Sequence, residues 1–235
     1  MSTPHPTRIL ATITVPDTPT ITAAIAYART QVSPRTFNHV MRSWLVGAAS
    51  ISHLAGPLTQ SLDHEAFAVA AILHDLGWSH NAALITPDKR FEVDGANAAR
   101  AFLHARGWAQ DRCQRVWDAI ALHTIPSIAC HATPLTALVS AGTMTELFGP
   151  GATLGLLGPG LVGATEQEWE AISREFPREG LKGHLHETLV GLCRSKPEGT
   201  YGTWVGDFGE EFLKEGGWSQ VGRRGMDLLE TLTRE

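Results

Sequence analysis

Ala66-Phe67-Ala68-Val69-Ala70-Ala71-Ile72-Leu73-His74-Asp75-Leu76-Gly77 is the stretch on which the fold turns. Its first eight residues are all apolar. A helix over them is hydrophobic on every side and has to run through the interior. The next two residues are His74 and Asp75. A buried carboxylate carries a large desolvation penalty unless a cation or hydrogen-bond donors meet it, so something positive is expected beside Asp75. At about 100° per residue, neighbouring helical side chains can converge on one atom off the helix flank, one offering an imidazole nitrogen and the other an oxygen. A divalent metal is the natural candidate. The plainer reading is a buried His-Asp hydrogen-bonded pair, or a helix-end cap, since Gly77 follows.

Outward from this stretch, helix starts and stops recur from about Thr20 onward, and no series of alternating β-branched strands competes with them. The fold class is all-α. Ser33-Pro34, Asp63 and Thr133-Pro134 are the strongest start signals. Thr165-Glu-Gln-Glu168 has capping-box spacing and opens a helix through about Phe176, ended by Pro177. Gly107 closes a helix that begins near Asp94. Further helices are expected near 109–123, 181–194, 207–215 and 221–233. Segment 149–163 is too rich in Gly and Pro for a helix interior and reads as a loop packed over the core, with a lid over a cleft as its functional reading. Residues 1–19, with Pro4, Pro6, Pro16 and Pro19, read as an extended N-terminal arm, and 20–235 as one helical domain.

At 235 residues the chain can bury a sizeable core, and no long linker divides it. The net charge of -5 comes without a Lys/Arg block that would track a phosphate backbone or an anionic membrane, so neither nucleic acid nor lipid is an expected partner. The start has no basic and apolar signal region, and no apolar run approaches the roughly 18 residues of a membrane span. A soluble cytoplasmic protein is expected. Cys113, Cys130 and Cys193 are odd in number and form no C-x-x-C pair, which points to ordinary buried thiols.

A second histidine bears on the metal question. In the helix opened by Ser33-Pro34, Phe37, Val40, Met41, Trp44, Leu45, Ala48 and Ile51 define a core stripe at i, i+3, i+4 spacing. His39 lies on the opposite flank, near Ser43 and Ser50. That flank faces either solvent or a polar cavity, and spacing leaves the choice open.

Arg35-Thr-Phe-Asn-His39-Val-Met-Arg42 followed by Leu73-His-Asp-Leu-Gly77 resembles the opening of the HD-domain metalloenzyme superfamily. Arg90-Phe-Glu-Val-Asp-Gly-Ala96, Ala119-Ile-Ala-Leu-His123 and Tyr201-Gly-Thr-Trp-Val-Gly-Asp-Phe-Gly209 resemble its cyanamide hydratase-like branch. The likeness spans roughly residues 30 to 210. It implies that His39, His74 and Asp75 are the first three metal ligands of an H…HD…D pattern. The segment Ala141-Gly-Thr-Met-Thr-Glu146 resembles the helix of the fourth ligand but carries Glu146 where Asp is usual. Glu is also an oxygen ligand, and Glu146 is the expected fourth ligand, with a solvated helix glutamate as the alternative.

The same resemblance brings in His123, set to face the metal-bound water, with a helix-end cation opposing the dipole as the plainer reading. Glu92 and Asp94 sit just ahead of a helix, as proton-shuttle candidates or as acidic residues that favour a helix start. Trp78, His80, Phe91 and Thr143, with Phe148, are the expected pocket residues. His80, His104 and His123 would be the ligands for a second ion, but the branch implies one. His184 and His186, two apart on a helix, are not expected to chelate together.

A bound divalent ion lowers the pKa of its water from about 15.7 to about 7 in favourable sites. The expected reaction is attack of this metal-activated hydroxide on the C≡N carbon of cyanamide to give urea, a hydro-lyase step. The rival is a phosphohydrolase acting on a nucleotide or phosphomonoester, which needs Arg or Lys at the metal, with Arg35, Arg42, Lys89 and Arg90 as candidates. Loss of activity, leaving a binding module, and an iron oxygenase are the remaining readings. Two imidazoles and two carboxylates accept Zn, Fe, Mn or Co, and the resemblance favours Zn2+ or Fe2+. The substrate is expected to be a small neutral molecule. The stretch Val221 to Leu232, with Met226, Leu228, Leu229 and Leu232, covers either its own core or that of a homodimer partner.

Overall fold

The computed structural model describes residues 5–223 and 225–232, whose regular structure is thirteen α-helices and one β-hairpin. Residues 1–4 of the expected arm, and the side chains of Leu228 and Leu232, lie outside the described residues. The hairpin pairs β1 (Thr7–Leu10) with β2 (Ile13–Pro16) and leads into α1 (Pro19–Gln31), α2 (Pro34–His53), the single turn α3 (Pro57–Gln60) and α4 (His64–Leu73). Then come α5 (Phe91–His104), α6 (Gln110–Leu122), the turn α7 (Pro126–Ala129), α8 (Pro134–Phe148) and α9 (Pro150–Leu157). The chain ends with α10 (Glu166–Glu175), α11 (Leu181–Ser195), α12 (Trp204–Phe212) and α13 (Gly225–Leu232). No described helix is long and apolar enough to cross a membrane.

Helix α4 runs through the middle, as its all-round apolar sequence demands. From Ala66 to Leu73 no residue is more than 2 % exposed, and α1, α2, α6 and α8 pack around it. Its start is fixed by the Asp63 side chain, which accepts the Ala66 N–H at 3.0 Å. Arg112 of α6 donates to both Asp63 oxygens and to Glu65, which ties this helix start to a neighbouring element.

Helices α2 and α8 pack most closely where their glycines meet. A Cβ added at Gly142 would lie 3.1 Å from the Gly47 Cα, so the two backbones nearly touch there. This close approach lets His39, two turns before Gly47, and Glu146, one turn after Gly142, come together. Ser33 and Thr133 cap the two helices through the Thr36 and Thr136 N–H groups, as their Ser-Pro and Thr-Pro signals imply. Thr165 and Glu168 form the expected capping box.

The structure corrects four local expectations. Residues 5–16 are a hairpin rather than a simple extended arm. Ile13 and Val15 alternate inward and are buried, and the turn is made by Ala11 and Thr12 at φ 46° and 72°. Segment 149–163 is not a loop throughout, because Pro150–Leu157 is helical. Gly149 and Gly158 sit at positive φ on either side of it, and Pro150 occupies a first-turn position, where a proline fits. Leu154 and Leu156 point outward, and it is Leu161 and Val162, beyond the helix, that return to the core. Helix α5 starts at Phe91, so Glu92 and Asp94 belong to its first turn. Helix α12 begins at Trp204, about a turn earlier than expected, because Thr203 caps it. At the other end, Met226 and Leu229 of α13 are exposed and do not cover this chain's own core.

Candidate metal centre

Three ligand atoms meet at the C-terminal end of α4. His39 Nε2 lies 3.3 Å from His74 Nε2 and 3.4 Å from an Asp75 carboxylate oxygen, which is itself 3.3 Å from His74 Nε2. Four donors about 2.0–2.1 Å from a central ion at tetrahedral angles stand about 3.4 Å apart, so this near-equilateral triangle has the dimensions of one face of such a site. The group is buried, with His39 at 2 %, His74 at 0 % and Asp75 at 1 % exposure.

The local backbone explains the convergence. Helix α4 ends at Leu73, His74 keeps helical angles, and the chain then tightens into a 3-10 turn over Leu76–Trp78. Gly77 permits this turn to lie against the start of α5. A Cβ there would sit 1.9 Å from the Phe91 carbonyl oxygen, a contact no side chain survives.

The imidazoles are oriented from behind. His74 Nδ1 donates to the Ala71 carbonyl at 2.8 Å, and His39 Nδ1 donates to Glu146 Oε2 at 2.6 Å. With the ring proton held on Nδ1, a neutral imidazole presents the Nε2 lone pair to the centre. Neither ring then has a proton for Asp75, and both carboxylate oxygens are buried without a hydrogen-bond donor. Such an orphaned carboxylate is costly unless a cation joins it. The field has the matching sign. Burial opposes charge on His74, yet the adjacent Asp75 outweighs burial and holds the His74 pKa above its ordinary value. Burial likewise opposes charge on Asp75, but positive charge gathered at His74, His39 and His123 would hold its carboxyl below the ordinary range. An environment that draws a proton in this way also draws a metal cation. The donor set and its dimensions fit a divalent ion held by His39, His74 and Asp75.

Glu146, expected as the fourth ligand, stands elsewhere. Its Oε2 accepts the hydrogen bond from His39 Nδ1, and its Oε1 accepts from Arg42 Nε and Arg178 Nη1, both at 2.6 Å. With both oxygens engaged, the carboxylate backs His39 rather than joining the triangle. It is not solvated either, being fully buried. Burial would raise its pKa, but His39, Arg42 and Arg178 pull it down to about 2.

His123 ends α6 with Nδ1 donating to the Ile120 carbonyl at 2.6 Å, and its Nε2 lies 3.8 Å from the second Asp75 oxygen. Burial, reinforced by His74, lowers its pKa to about 4. It is a neutral base beside the cluster, not a helix-end cation. Glu92 accepts from Arg90 and from the Thr124 hydroxyl, each at 2.5 Å, so it stands one hydroxyl behind the cavity wall. Asp94 is corrected from shuttle candidate to structural anchor. It accepts from the Thr86 N–H and hydroxyl and from the buried Lys196 ammonium, and it lies off the cavity. His80 is exposed and does not line the cavity. His104 is exposed. His184 bonds Thr36 while His186 packs edge-on to Phe208 and Phe212, so the two serve separate ends. The three cysteines are free thiols, two of them buried.

The cluster opens into a cavity of about 870 Å³ that His39, Asp75 and His123 reach. Trp78, Phe91, Thr143 and Phe148 line it, as expected. Its far wall, made by α11 and α12, was not anticipated. Leu181, Leu185 and Leu189 recur every four residues along α11, and Trp204 and Phe208 face them from α12. That spacing was the available signal, and it reads equally well as an ordinary core stripe. Arg178 is the other unanticipated residue, since nothing in its local sequence points to Glu146. No protein-family model and no curated protein matches this chain.

Proposed function

We propose that this chain is a metal-dependent hydratase of the HD-domain type, cyanamide hydratase-like, that adds water across the C≡N bond of an uncharged substrate, as in cyanamide to urea. The observation that carries the reading is the buried Asp75, both oxygens without a donor, in a 3.3–3.4 Å triangle with two imidazole nitrogens. A divalent ion held there, Zn2+ or Fe2+, would supply a water made nucleophilic near neutral pH.

The chain's own groups complete the chemistry. His123 is neutral, with its Nδ1 proton committed to Ile120, so Nε2 can accept a proton within the cavity and return it to the substrate nitrogen. The Thr124 hydroxyl donates to Glu92, so towards the cavity it can only accept, which suits an N–H of the substrate or product. Trp78 and Phe91 give one side of the cavity aromatic faces. Water adds as hydroxyl to carbon and hydrogen to nitrogen, and tautomerisation yields the amide.

The rival chemistry, phosphate-ester hydrolysis, needs free cations at the reacting centre. Arg42 and Arg178 are spent on Glu146 and Arg90 on Glu92, none of Arg35, Arg42, Lys89 and Arg90 lines the cavity, and Lys182, which does, is a single exposed ammonium on α11. The deciding experiment incubates purified protein with cyanamide and measures urea, with and without a chelator. Metal-dependent urea formation supports the reading. Its absence, with phosphate released from a nucleotide panel, installs the phosphohydrolase instead, and absence of bound metal by elemental analysis leaves a binding module.

A further inference from the structure

The cavity is far larger than cyanamide requires. A water molecule's share of liquid volume is about 30 Å³ and cyanamide has three non-hydrogen atoms, whereas the cavity of about 870 Å³ lies near the top of the range of about 300–1,000 Å³ that holds drug-sized ligands. His39, Asp75, His123 and Thr124 stand at the cluster, and Thr143, Arg178, Lys182 and His186 are the other polar side chains that line the cavity. The remaining side chains of the wall are apolar, Leu185 and Leu189 of α11 and Trp204 and Phe208 of α12 among them. This wall has a core of its own, since Leu189, Leu192, Cys193 and Val205 bury against Phe91. Arg178, the one guanidinium on the wall, is held by Glu146, which leaves the exposed Lys182 as the cation not engaged in a described ion pair.

Resting on the hydratase reading, we propose that the natural substrate is an organic nitrile or N-substituted cyanamide with an aromatic or branched aliphatic body, which packs against the wall made by α11 and α12 while its C≡N head reaches the His39, His74 and Asp75 cluster. The apolar body is desolvated against Leu185, Leu189 and Phe208, and the affinity gained there holds the head at the cluster. Water adds as before, and phenylcyanamide would give phenylurea with no other reactant.

The test compares phenylcyanamide with cyanamide as substrates of the metal-loaded protein, and phenylurea with urea as ligands by calorimetry. The expected result is a kcat/KM for phenylcyanamide, and an affinity for phenylurea, on the order of tenfold or more above those of the small counterparts. Leu185→Trp, which fills the cavity, should reduce both ratios at least tenfold, and Phe208→Trp serves if the first variant does not fold. Hydration of cyanamide with no binding of phenylurea overturns the substrate class and leaves the hydratase standing. Binding of phenylurea that Leu185→Trp abolishes, with neither nitrile hydrated, supports the apolar-bodied ligand and overturns hydration instead.

Discussion

The carboxylate of Glu146 reaches His39 from behind, 2.6 Å from Nδ1, while the triangle with His74 and Asp75 forms at the opposite ring nitrogen. Glu146 therefore selects the tautomer and aim of His39 without joining the three ligand atoms.

Metal content separates the two roles. Asp75→Asn and His74→Ala are expected to empty the site. Glu146→Gln, which keeps shape and can still accept from His39, should weaken metal affinity by about 10–100-fold, the usual effect of a partner behind a ligand. Chelator competition measures it, and loss of metal as complete as in Asp75→Asn would make Glu146 a ligand after all.

Glu146 also carries stability. Arg42 is 1 % exposed and depends on Glu146 for its charge partner, with only the Phe176 and Pro177 carbonyls besides among the described residues. Glu146→Ala should destabilise the fold by about 3–5 kcal/mol, because a buried guanidinium loses its counter-charge. Urea unfolding reads the loss, and adding Arg42→Met to Glu146→Ala should recover part of it.

Acid sensitivity follows with a definite sign. The Glu146 carboxyl is depressed from its ordinary 4.5 to about 2, so it stabilises the fold fully above about pH 5 and loses that contribution as pH falls towards 2. His123 acts in the same direction over a higher window. The unfolded chain binds a proton near 6.5 and the native one only near 4, so stability falls across that interval. Unfolding midpoints measured from pH 7 to 3 should decline, and Glu146→Gln should flatten the lower part of the curve.

Gly77→Ala tests the packing beneath the site. The new Cβ would meet the Phe91 carbonyl at 1.9 Å, so the turn after Asp75 must move away from α5. The expected cost is about 1–3 kcal/mol or more, together with reduced metal content. Thermal unfolding and elemental analysis of one preparation check both, and unaltered metal content would separate this turn from the geometry of Asp75.

The all-helical class, most helix starts and the burial of Asp75 were legible because each rests on neighbours in sequence. Eight consecutive apolar residues bury a helix whatever surrounds it, and Asp63, Ser33, Thr133 and Thr165 cap through contacts three residues away. The hairpin and α9 escaped because Ala11 and Thr12 turn at positive φ without glycine, and because the glycines at 149 and 158 bound a helix rather than filling a loop.

What the chain alone determined is that His74 and Asp75 end a helix with no polar face, so a charge had to be met inside the protein. Which partners meet it was decided by tertiary structure. The flank of α2 that bears His39 is inward only because α8 lies against it at Gly47 and Gly142, and Glu146 is drawn off the triangle by two arginines, one of them 32 residues further on. Asp94 is likewise claimed by Lys196. Helical periodicity tells which residues share a face, but the competition of distant charges for one carboxylate is settled only when the helices pack.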